Sequence, residues 1–298
     1  MTAASIPFIK EMAFEYGVAQ EIIPGVRRIV APNPSPFTFK GTNTYIIGYG
    51  EVALIDPGPL LEQHVENIKR ALRKEAITHI FVTHSHIDHS PAADRIREIT
   101  GAPVIGSYPI KQSEGMPVEA AQENFVLDRE LVDGEVINSN NWSLEAIYTP
   151  GHMSNHYCYA LKKHKLLFSG DHVMGWNTTI VSPPDGNMGQ YLGSLNVCLK
   201  RDEELYLPGH GPAIRDTKRF VSAYLNHRIQ REKEIMVCLE RGLTKIPNMV
   251  ASMYSHLPKT MHGAAARSVL AHLEHLVETG AVKCAAPISS TSTFTVTR

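Results

Sequence analysis

One short polar segment of the chain, "THSHIDH" at residues 83–89, holds three histidines and an aspartate within six positions. It follows "ITHIFV", an apolar and β-branched run that predicts a buried strand. A histidine-rich surface loop and a metal site would both account for such a segment. In extended backbone, alternate side chains point the same way, so His84 and His86 can reach one ion. Asp88 and His89 come where the chain must turn, which aims them at a different point, where a second ion could bind.

Three later segments, "TPGH", "SGDH" and "PGHG", each place a polar side chain after an apolar strand and beside a glycine. These side chains are His152, Asp171 and His210. Glycine lets the backbone turn sharply, and strand ends hold ligands more rigidly than free loops do. With the first segment they make five histidines and two aspartates. This set fits two four-coordinate zinc sites if one carboxylate bridges and a solvent oxygen completes them, which favours the metal interpretation.

The elements that must position these residues change in character near residue 211. Before it, hydrophobic patterning predicts short strands, among them 43–48, 51–58 and 77–83, and helices at 62–75 and 90–100. After it, the patterning predicts a long helix at 217–242, a second at "IPNMVASMYSHL" and a third at 263–280. Two short strands, "AVKC" and "TFTVT", follow, and this order is typical of a winged helix-turn-helix.

Charge divides the chain at the same place. The net charge is −1, but residues 211–298 carry 12 Lys and Arg against 6 Asp and Glu, whereas residues 1–210 carry 17 against 24. This split predicts two units, of which the second either meets an anionic partner or has solvated basic faces. Four cysteines lie far apart without a C-x-x-C pair, which favours reduced thiols over a zinc ribbon or redox motif.

The sequence predicts a cytoplasmic protein with no membrane span. No apolar run approaches the roughly 18–20 residues that a spanning helix needs. Lys10, Glu11 and Glu15 interrupt the apolar residues near the N-terminus, so no signal-peptide pattern is present.

The histidine and aspartate segments, in this order and on these turns, resemble the metallo-β-lactamase superfamily. "GTNTYIIG" and "ALIDPGP" resemble it too, and the likeness covers about residues 20–215. It implies an α+β fold, a four-layer αββα sandwich over 1–215 with the site at the edge of the two sheets. Nearly all of residues 211–285 resemble the C-terminal winged helix of the β-lactamase-like protein branch, which includes an endoribonuclease and many bacterial hydrolases. A winged-helix-like domain is therefore expected over 216–298.

By this resemblance, three histidines hold one metal ion, an aspartate and two histidines hold the other, and a further aspartate bridges them. The three groups are His84, His86 and His152; Asp88, His89 and His210; and Asp171. Asp56 falls where the family often has a carboxylate that supports the ligands. A turn residue before Pro-Gly is an equal alternative for Asp56.

Asp171 narrows the choice among the branches of this superfamily, because true β-lactamases usually have Cys or Ser at its position. The implied branch is binuclear and includes glyoxalase II-like thioesterases, lactonases and nucleases. Flavodiiron proteins typically carry Glu at the position of His86, so this chain departs from their pattern. Single-iron persulfide dioxygenases share much of the motif and stay an alternative.

The chemistry implied is hydrolysis with two zinc ions, with iron or manganese as alternative metals. The ions would share a water and lower its pKa from about 15.7 to about 7, which gives a bridging hydroxide nucleophile. Asp88 would ligate and orient this hydroxide. The expected substrate is a small ester or thioester, a lactone, or an RNA phosphodiester; the residues specify neither the substrate nor the oligomeric state.

A further group of polar residues is a candidate for supporting the ligands or for contacting substrate. His156 either has one of these roles or is a structural histidine. Residues 176–195 are predicted to form a loop near the site mouth, with Tyr191 at the start of a helix. Asn177, Thr178 and Tyr191 would contact substrate or support the ligands.

The winged helix invites a nucleic-acid role, but its third helix offers a thin basic face. Arg267 and His272 share that helix with Glu274 and Glu278. Packing against the main domain, or walling the cleft, is therefore favoured over phosphate binding.

Overall fold

Two β-sheets lie face to face in the computed structural model, which describes residues 6–109, 122, 125–285 and 287–297. One sheet has the order β1 (Gln20–Ile23), β2 (Val26–Val30), β3 (Asn43–Ile47), β4 (Glu51–Ile55), β5 (Ala76–Phe81), β6 (Val104–Gly106) and β7 (Arg129–Glu130). Its strands pair antiparallel from β1 to β4 and parallel from β4 to β7.

The second sheet is formed by β8 (Val136–Asn138), β9 (Ser143–Tyr148), β10 (Tyr157–Leu161), β11 (Leu166–Gly170) and β12 (Leu205–Pro208). They lie in the order β12, β11, β10, β9, β8. Only β11 and β12 are parallel among these pairs.

Helices cover the outer face of each sheet. The first sheet is covered by α1 (Glu62–Ala71) and α2 (Ala92–Thr100), and the second by α3 (Met188–Lys200) and the start of α4 (Thr217–Glu240). The predicted α+β, four-layer sandwich is therefore confirmed.

Both faces of the inner strands are buried, which explains why these strands appear in the sequence as continuous apolar runs. In β4, Ala53 and Ile55 pack between the sheets, whereas Val52 and Leu54 pack against the outer helices. Alternate residues of a strand point to opposite faces, so each face fills a different core.

Aromatic side chains fix one sheet against the other. The rings of Phe81 and Tyr159 lie 5.3 Å apart, and those of Tyr45 and Phe168 lie 5.1 Å apart. The buried hydroxyls also find partners, since Tyr159 donates to the Val82 carbonyl at 2.6 Å. These contacts hold the ends of strands from both sheets in a fixed relation.

The C-terminal part has a core of its own. It comprises the end of α4, α5 (Ile246–Met253), α6 (His262–Glu278) and a ribbon of β13 (Val282–Cys284) and β14 (Phe294–Val296). Because α4 contributes to this core and to the core under the second sheet, it joins the two parts. The domain boundary at residue 215 stays a prediction.

Two local details differ from the sequence expectation. α2 begins at Ala92, two residues after its predicted start at Ser90, whose hydroxyl donates to Gln122 Oε1 at 2.7 Å and does not cap the helix. Tyr191 does not begin α3 but lies in its first turn, and the Asn187 side chain caps the helix by accepting from the Gln190 N–H.

Across the described residues, no helix combines the length and apolar character needed to cross a membrane.

The inter-sheet core makes a stability prediction. Phe168 is 1% exposed, so Phe168→Ala should lower the free energy of unfolding by about 3–5 kcal/mol through the cavity it leaves. Urea unfolding of purified protein measures this change. Val132 is 69% exposed and serves as control: Val132→Ala should stay within about 0.5 kcal/mol. Equal losses in the two variants would contradict this assignment of the core.

Candidate metal centre

The seven predicted ligands lie together at one edge of the sandwich, just beyond the ends of four strands. The 83–89 segment follows β5, His152 follows β9, Asp171 follows β11 and His210 follows β12. Three overlapping groups have potential ligand atoms within 4.8 Å of one another: His84, His86 and His152; His84, His89 and Asp171; and Asp88, His89 and His210. Two sheets thus contribute to one cluster.

Three imidazole nitrogens meet in the first group. His84 Nε2 lies 2.9 Å from His86 Nδ1, and His152 Nε2 lies 3.1 Å from the same atom. All three residues are largely removed from solvent, with His86 the most accessible of them.

The outward ring nitrogens of His84 and His152 face oxygen atoms outside the group, which fixes the tautomers of these two rings. His152 Nδ1 faces the Ile180 carbonyl oxygen at 2.6 Å, and a carbonyl can only accept. Thr83 Oγ1 donates to Asp56 Oδ2 at 2.8 Å, so it accepts from His84 Nδ1 at 2.9 Å. The Nε2 lone pairs of His84 and His152 therefore point into the space between these two rings and His86.

The second group repeats this arrangement. His89 Nε2 lies 3.2 Å from His210 Nε2, and Asp88 Oδ2 lies 3.1 Å from His210 Nε2. His89 Nδ1 donates to Asp56 Oδ2 at 2.8 Å, and His210 Nδ1 faces the Gly41 carbonyl at 3.4 Å. Both Nε2 atoms again face inward.

Asp171 lies between the groups. Its Oδ2 is 3.7 Å from His152 Nε2 and 3.4 Å from His210 Nε2, and its Oδ1 is 3.5 Å from His89 Nε2. Oδ1 is buried and has no hydrogen-bond partner in the described part of the chain. A buried carboxylate oxygen without a partner is costly, and a cation among these lone pairs would remove that cost.

The electrostatics of the two groups differ. Burial, followed by the neighbouring His152, lowers the pKa of His86 to about 3. Burial also acts to lower the pKa of His210, but Asp171 and Asp88 outweigh it and raise that pKa to about 9. Without metal, protons would therefore sit beside the carboxylates, and a bound cation would take their place.

Asp56 supports both groups from outside. Besides His89 and the Thr83 hydroxyl, it accepts the Thr83 N–H at 2.7 Å. Its φ of 49° places it in the left-handed region, just after β4, so it is also a turn residue. Asp56 is thus both a turn residue and a carboxylate that contacts the two groups, the two interpretations that the sequence offered.

His156 is fully buried, and both of its ring nitrogens have partners within the protein. Its Nδ1 lies 2.9 Å from Thr149 Oγ1, and its Nε2 accepts the Asp171 N–H at 3.2 Å. The ring therefore supports the backbone of Asp171.

Tyr191 is fully buried as well, so burial argues against substrate contact, whereas a role in supporting the ligands stays a prediction. Its hydroxyl donates to the His172 carbonyl at 2.8 Å, because α3 carries the ring inward over the second sheet. Asn177 is exposed and Thr178 half-buried, and Asn177 Oδ1 accepts the Thr178 N–H at 2.9 Å. Their role in substrate contact stays a prediction.

Sequence reasoning missed Thr179, Ile180 and Gly41. Thr179 Oγ1 lies 2.7 Å from the Asp171 carbonyl, and the other two supply the carbonyls that face His152 and His210. A carbonyl belongs to every residue, so no residue type marks Ile180 or Gly41 for this role. Gly41 gives the one signal, because a Cβ there would lie 1.9 Å from the Ala31 oxygen.

Family comparison agrees with this geometry. The sequence profile described as "Metallo-beta-lactamase superfamily" matches residues 37–210, more than half of the chain. The chain belongs to the metallo-beta-lactamase superfamily. The profile described as "Beta-lactamase associated winged helix domain" matches residues 246–286, which confirms the predicted winged helix.

Relatives within the superfamily span most of the chain. A "Beta-lactamase-like protein 2 homolog" of Caenorhabditis elegans is 31% identical, over 89% of this chain and 88% of its own. An "Atrochrysone carboxyl ACP thioesterase" of Aspergillus chevalieri is 28% identical, over 84% of this chain and 77% of its own.

Solved structures share the fold over nearly the whole length. A beta-lactamase domain protein from Burkholderia ambifaria has a TM-score of 0.79 at 20% identity, covering 96% of both chains. A metallo-beta-lactamase family protein from Thermus thermophilus has a TM-score of 0.74 at 22% identity, covering 93% of this chain and all of that one.

The contacts of Asp56 predict its effect on metal binding. Asp56→Asn removes the carboxylate that orients His89 and, through Thr83, His84, so metal affinity should fall by about 10–100-fold. Competition with a chromophoric chelator measures this affinity. Asp216→Asn, an exposed carboxylate paired with Arg219, should leave it unchanged. Wild-type affinity in the Asp56 variant would contradict the supporting role.

Proposed function

We propose that this enzyme is a binuclear zinc hydrolase that cleaves thioesters or esters of apolar acyl groups. It lies within the metal-dependent hydrolase class to which its superfamily membership assigns it. One observation carries the proposal: imidazole lone pairs and an orphaned Asp171 oxygen converge from both sheets on one small volume. Metal cations bound among these buried acceptors, which lie 2.9–3.7 Å apart, would offset the cost of burying them together.

The donor set fits two ions of borderline softness. Nitrogen of histidine and oxygen of carboxylate are ligands that zinc takes readily. We assign His84, His86 and His152 to one ion, Asp88, His89 and His210 to the other, and Asp171 to both. When bound, such a pair lowers the pKa of a water and polarises the carbonyl of the substrate.

Asp88 has the geometry to handle the proton in this chemistry. Its side chain is 24% exposed, whereas that of Asp171 is 10% exposed, so it is the more open of the two carboxylates. Its Oδ2 faces His210, which leaves Oδ1 to orient the attacking water and accept its proton. The same oxygen can then return that proton to the leaving thiol or alcohol.

Side chains beside the ligands point to an apolar acyl group. Ile87, between two ligands, is 51% exposed, and Ile180, whose carbonyl faces His152, is 43% exposed. Phe37, in the loop that leads to Gly41, is 52% exposed. Exposed apolar side chains on the segments that carry the ligands suit an apolar ligand better than an RNA backbone. Two relatives at 28% identity are named as carboxyl ACP thioesterases, which agrees with this class.

The position of α6 also favours an acyl substrate over nucleic acid. α6 faces α3, since a Cβ on Gly189 would lie 3.0 Å from the His275 ring and 3.5 Å from Glu278 Oε2. α6, the third helix of the winged helix, is thus partly covered by the main domain. It also places the Glu278 carboxylate at this contact, where a phosphate would be repelled.

Metal removal and replacement of Asp171 test the reaction. Chelation should abolish hydrolysis of an acyl thioester, and added zinc should restore it. Asp171→Asn should lower kcat/KM by at least about 100-fold, because the neutral amide cannot serve two ions. Asp202→Asn, an exposed residue just before β12, is the matched control and should keep full activity. Thioesterase activity that survives in the Asp171 variant would contradict the mechanism.

The same assay should include an aryl ester, a lactone, bis-aryl phosphodiester and single-stranded RNA. Hydrolysis of RNA with no activity on any acyl substrate would overturn the proposed substrate class. A purified protein that carries one iron instead of two zinc ions would overturn the proposed metal.

Ile87 tests the proposed contact with the acyl chain. Ile87→Ser should lower kcat/KM about 10-fold for a long-chain acyl thioester and change little for an acetyl thioester, because only the longer chain reaches that side chain. Ile99→Ser, on α2 with 41% exposure, is the control and should alter neither. Equal losses on both thioesters in the Ile87 variant would show that Ile87 does not bind the acyl chain.

A further inference from the structure

One buried arginine, Arg228 of α4, lies outside the metal centre but contacts the segment that supports it. Its side chain is 3% exposed, and Nη2 donates to the Thr179 carbonyl. The guanidinium also lies over the Tyr191 ring, 5.1 Å from its centroid. Among the residues that the structure describes, no carboxylate forms an ion pair with Arg228. A buried cation without a charged partner is costly, so its position calls for a reason.

Thr179 and Ile180 extend this contact to two ligands. Thr179 Oγ1 lies 2.7 Å from the Asp171 carbonyl and 3.0 Å from the His172 carbonyl. The Ile180 carbonyl faces His152 Nδ1 at 2.6 Å. A segment of two residues therefore fixes the backbone of Asp171 and the tautomer and direction of His152.

Another residue of α4 holds the beginning of the same loop. Tyr224, one helical turn before Arg228, places its hydroxyl 2.6 Å from the Met174 carbonyl and also contacts the Asn177 carbonyl. Residues 174–180 are thus held against α4 at both ends.

α4 is in turn fixed to the winged helix. Glu232, one turn beyond Arg228, has its Oε1 2.8 Å from His275 Nδ1 and 3.3 Å from His272 Nδ1, both on α6. A continuous series of contacts therefore runs from α6 through α4 to the segment beside the ligands.

We propose that Arg228 is a positioning residue of the metal centre. Through the Thr179 carbonyl it holds segment 179–180 in the conformation that aims Asp171 and His152 at the metals. The winged helix, by placing α4, is then part of what builds the site. This inference rests on the proposed function, since it requires metal at those two ligands.

Two substitutions test the role at different points of the series. Arg228→Met keeps an unbranched apolar stem but removes the donors and the charge. Thr179→Val keeps the shape and removes the hydroxyl bonded to the Asp171 carbonyl. Arg231→Met is the matched control, because Arg231 lies on the same helix, pairs with Glu234 and packs over Tyr254.

The measurement is zinc affinity of the full-length chain, by competition with a chromophoric chelator. Circular dichroism and thermal unfolding of the metal-free proteins run beside it. We expect affinity to fall about 10-fold or more in Arg228→Met and Thr179→Val, as for outer-shell partners of metal ligands. Arg231→Met should match the wild type. Arg228→Lys, which keeps a charged donor, should recover part of the loss.

Several results would overturn the inference. Wild-type affinity in Arg228→Met would do so, as would an equal loss in Arg231→Met. If Arg228→Met does not fold, Thr179→Val decides alone, and wild-type affinity in that variant would overturn the role. A wild-type chain that binds no zinc would overturn the proposed function and this inference together. A wild type that binds zinc while both variants match it would overturn the inference alone.

Discussion

The proposed metal centre depends on a set of outward hydrogen bonds made by its histidines. Four of the five rings present Nδ1 to an oxygen: Thr83 for His84, Asp56 for His89, Ile180 for His152 and Gly41 for His210. Each of these contacts leaves the Nε2 lone pair pointing inward. His86 is the exception, since its Nδ1 faces the group. The protein thus specifies acceptors at the centre by placing partners at the periphery.

The sandwich supplies the rigidity that such an arrangement requires. The ligands follow strands from both sheets, so a shift of one sheet would separate Asp171 from the 83–89 segment. Aromatic pairs such as Phe81 with Tyr159 oppose that shift. The third constraint is α4, which holds residues 174–180 through Tyr224 and Arg228. Fold and site are therefore coupled at several points, and the ligands need no flexible loop to bring them together.

Much of this could be predicted from sequence, because the ligands are residue types with a distinctive spacing. The spacing of histidines two positions apart on extended chain, and of polar residues after "PG" and "SG", predicts where these side chains point. The αββα fold was implied by the resemblance to the superfamily, whereas hydrophobic patterning alone predicted short strands and the helices between them. Asp56 was ambiguous because a turn residue and a supporting carboxylate have the same signature.

The rest depends on tertiary contacts that no local pattern encodes. The carbonyls of Ile180 and Gly41 act through backbone, which every residue has. Tyr191 stands next to a polar loop in the sequence, yet α3 carries it into the core, and only the docking of α4 shows that Arg228 is buried.

A crystal structure of the zinc-loaded protein, with anomalous data collected at the zinc edge, tests the central claim most directly. The account predicts two anomalous peaks, one bound by His84, His86 and His152 and the other by Asp88, His89 and His210, with Asp171 contacting both. A single peak, or zinc bound away from these seven side chains, would contradict it.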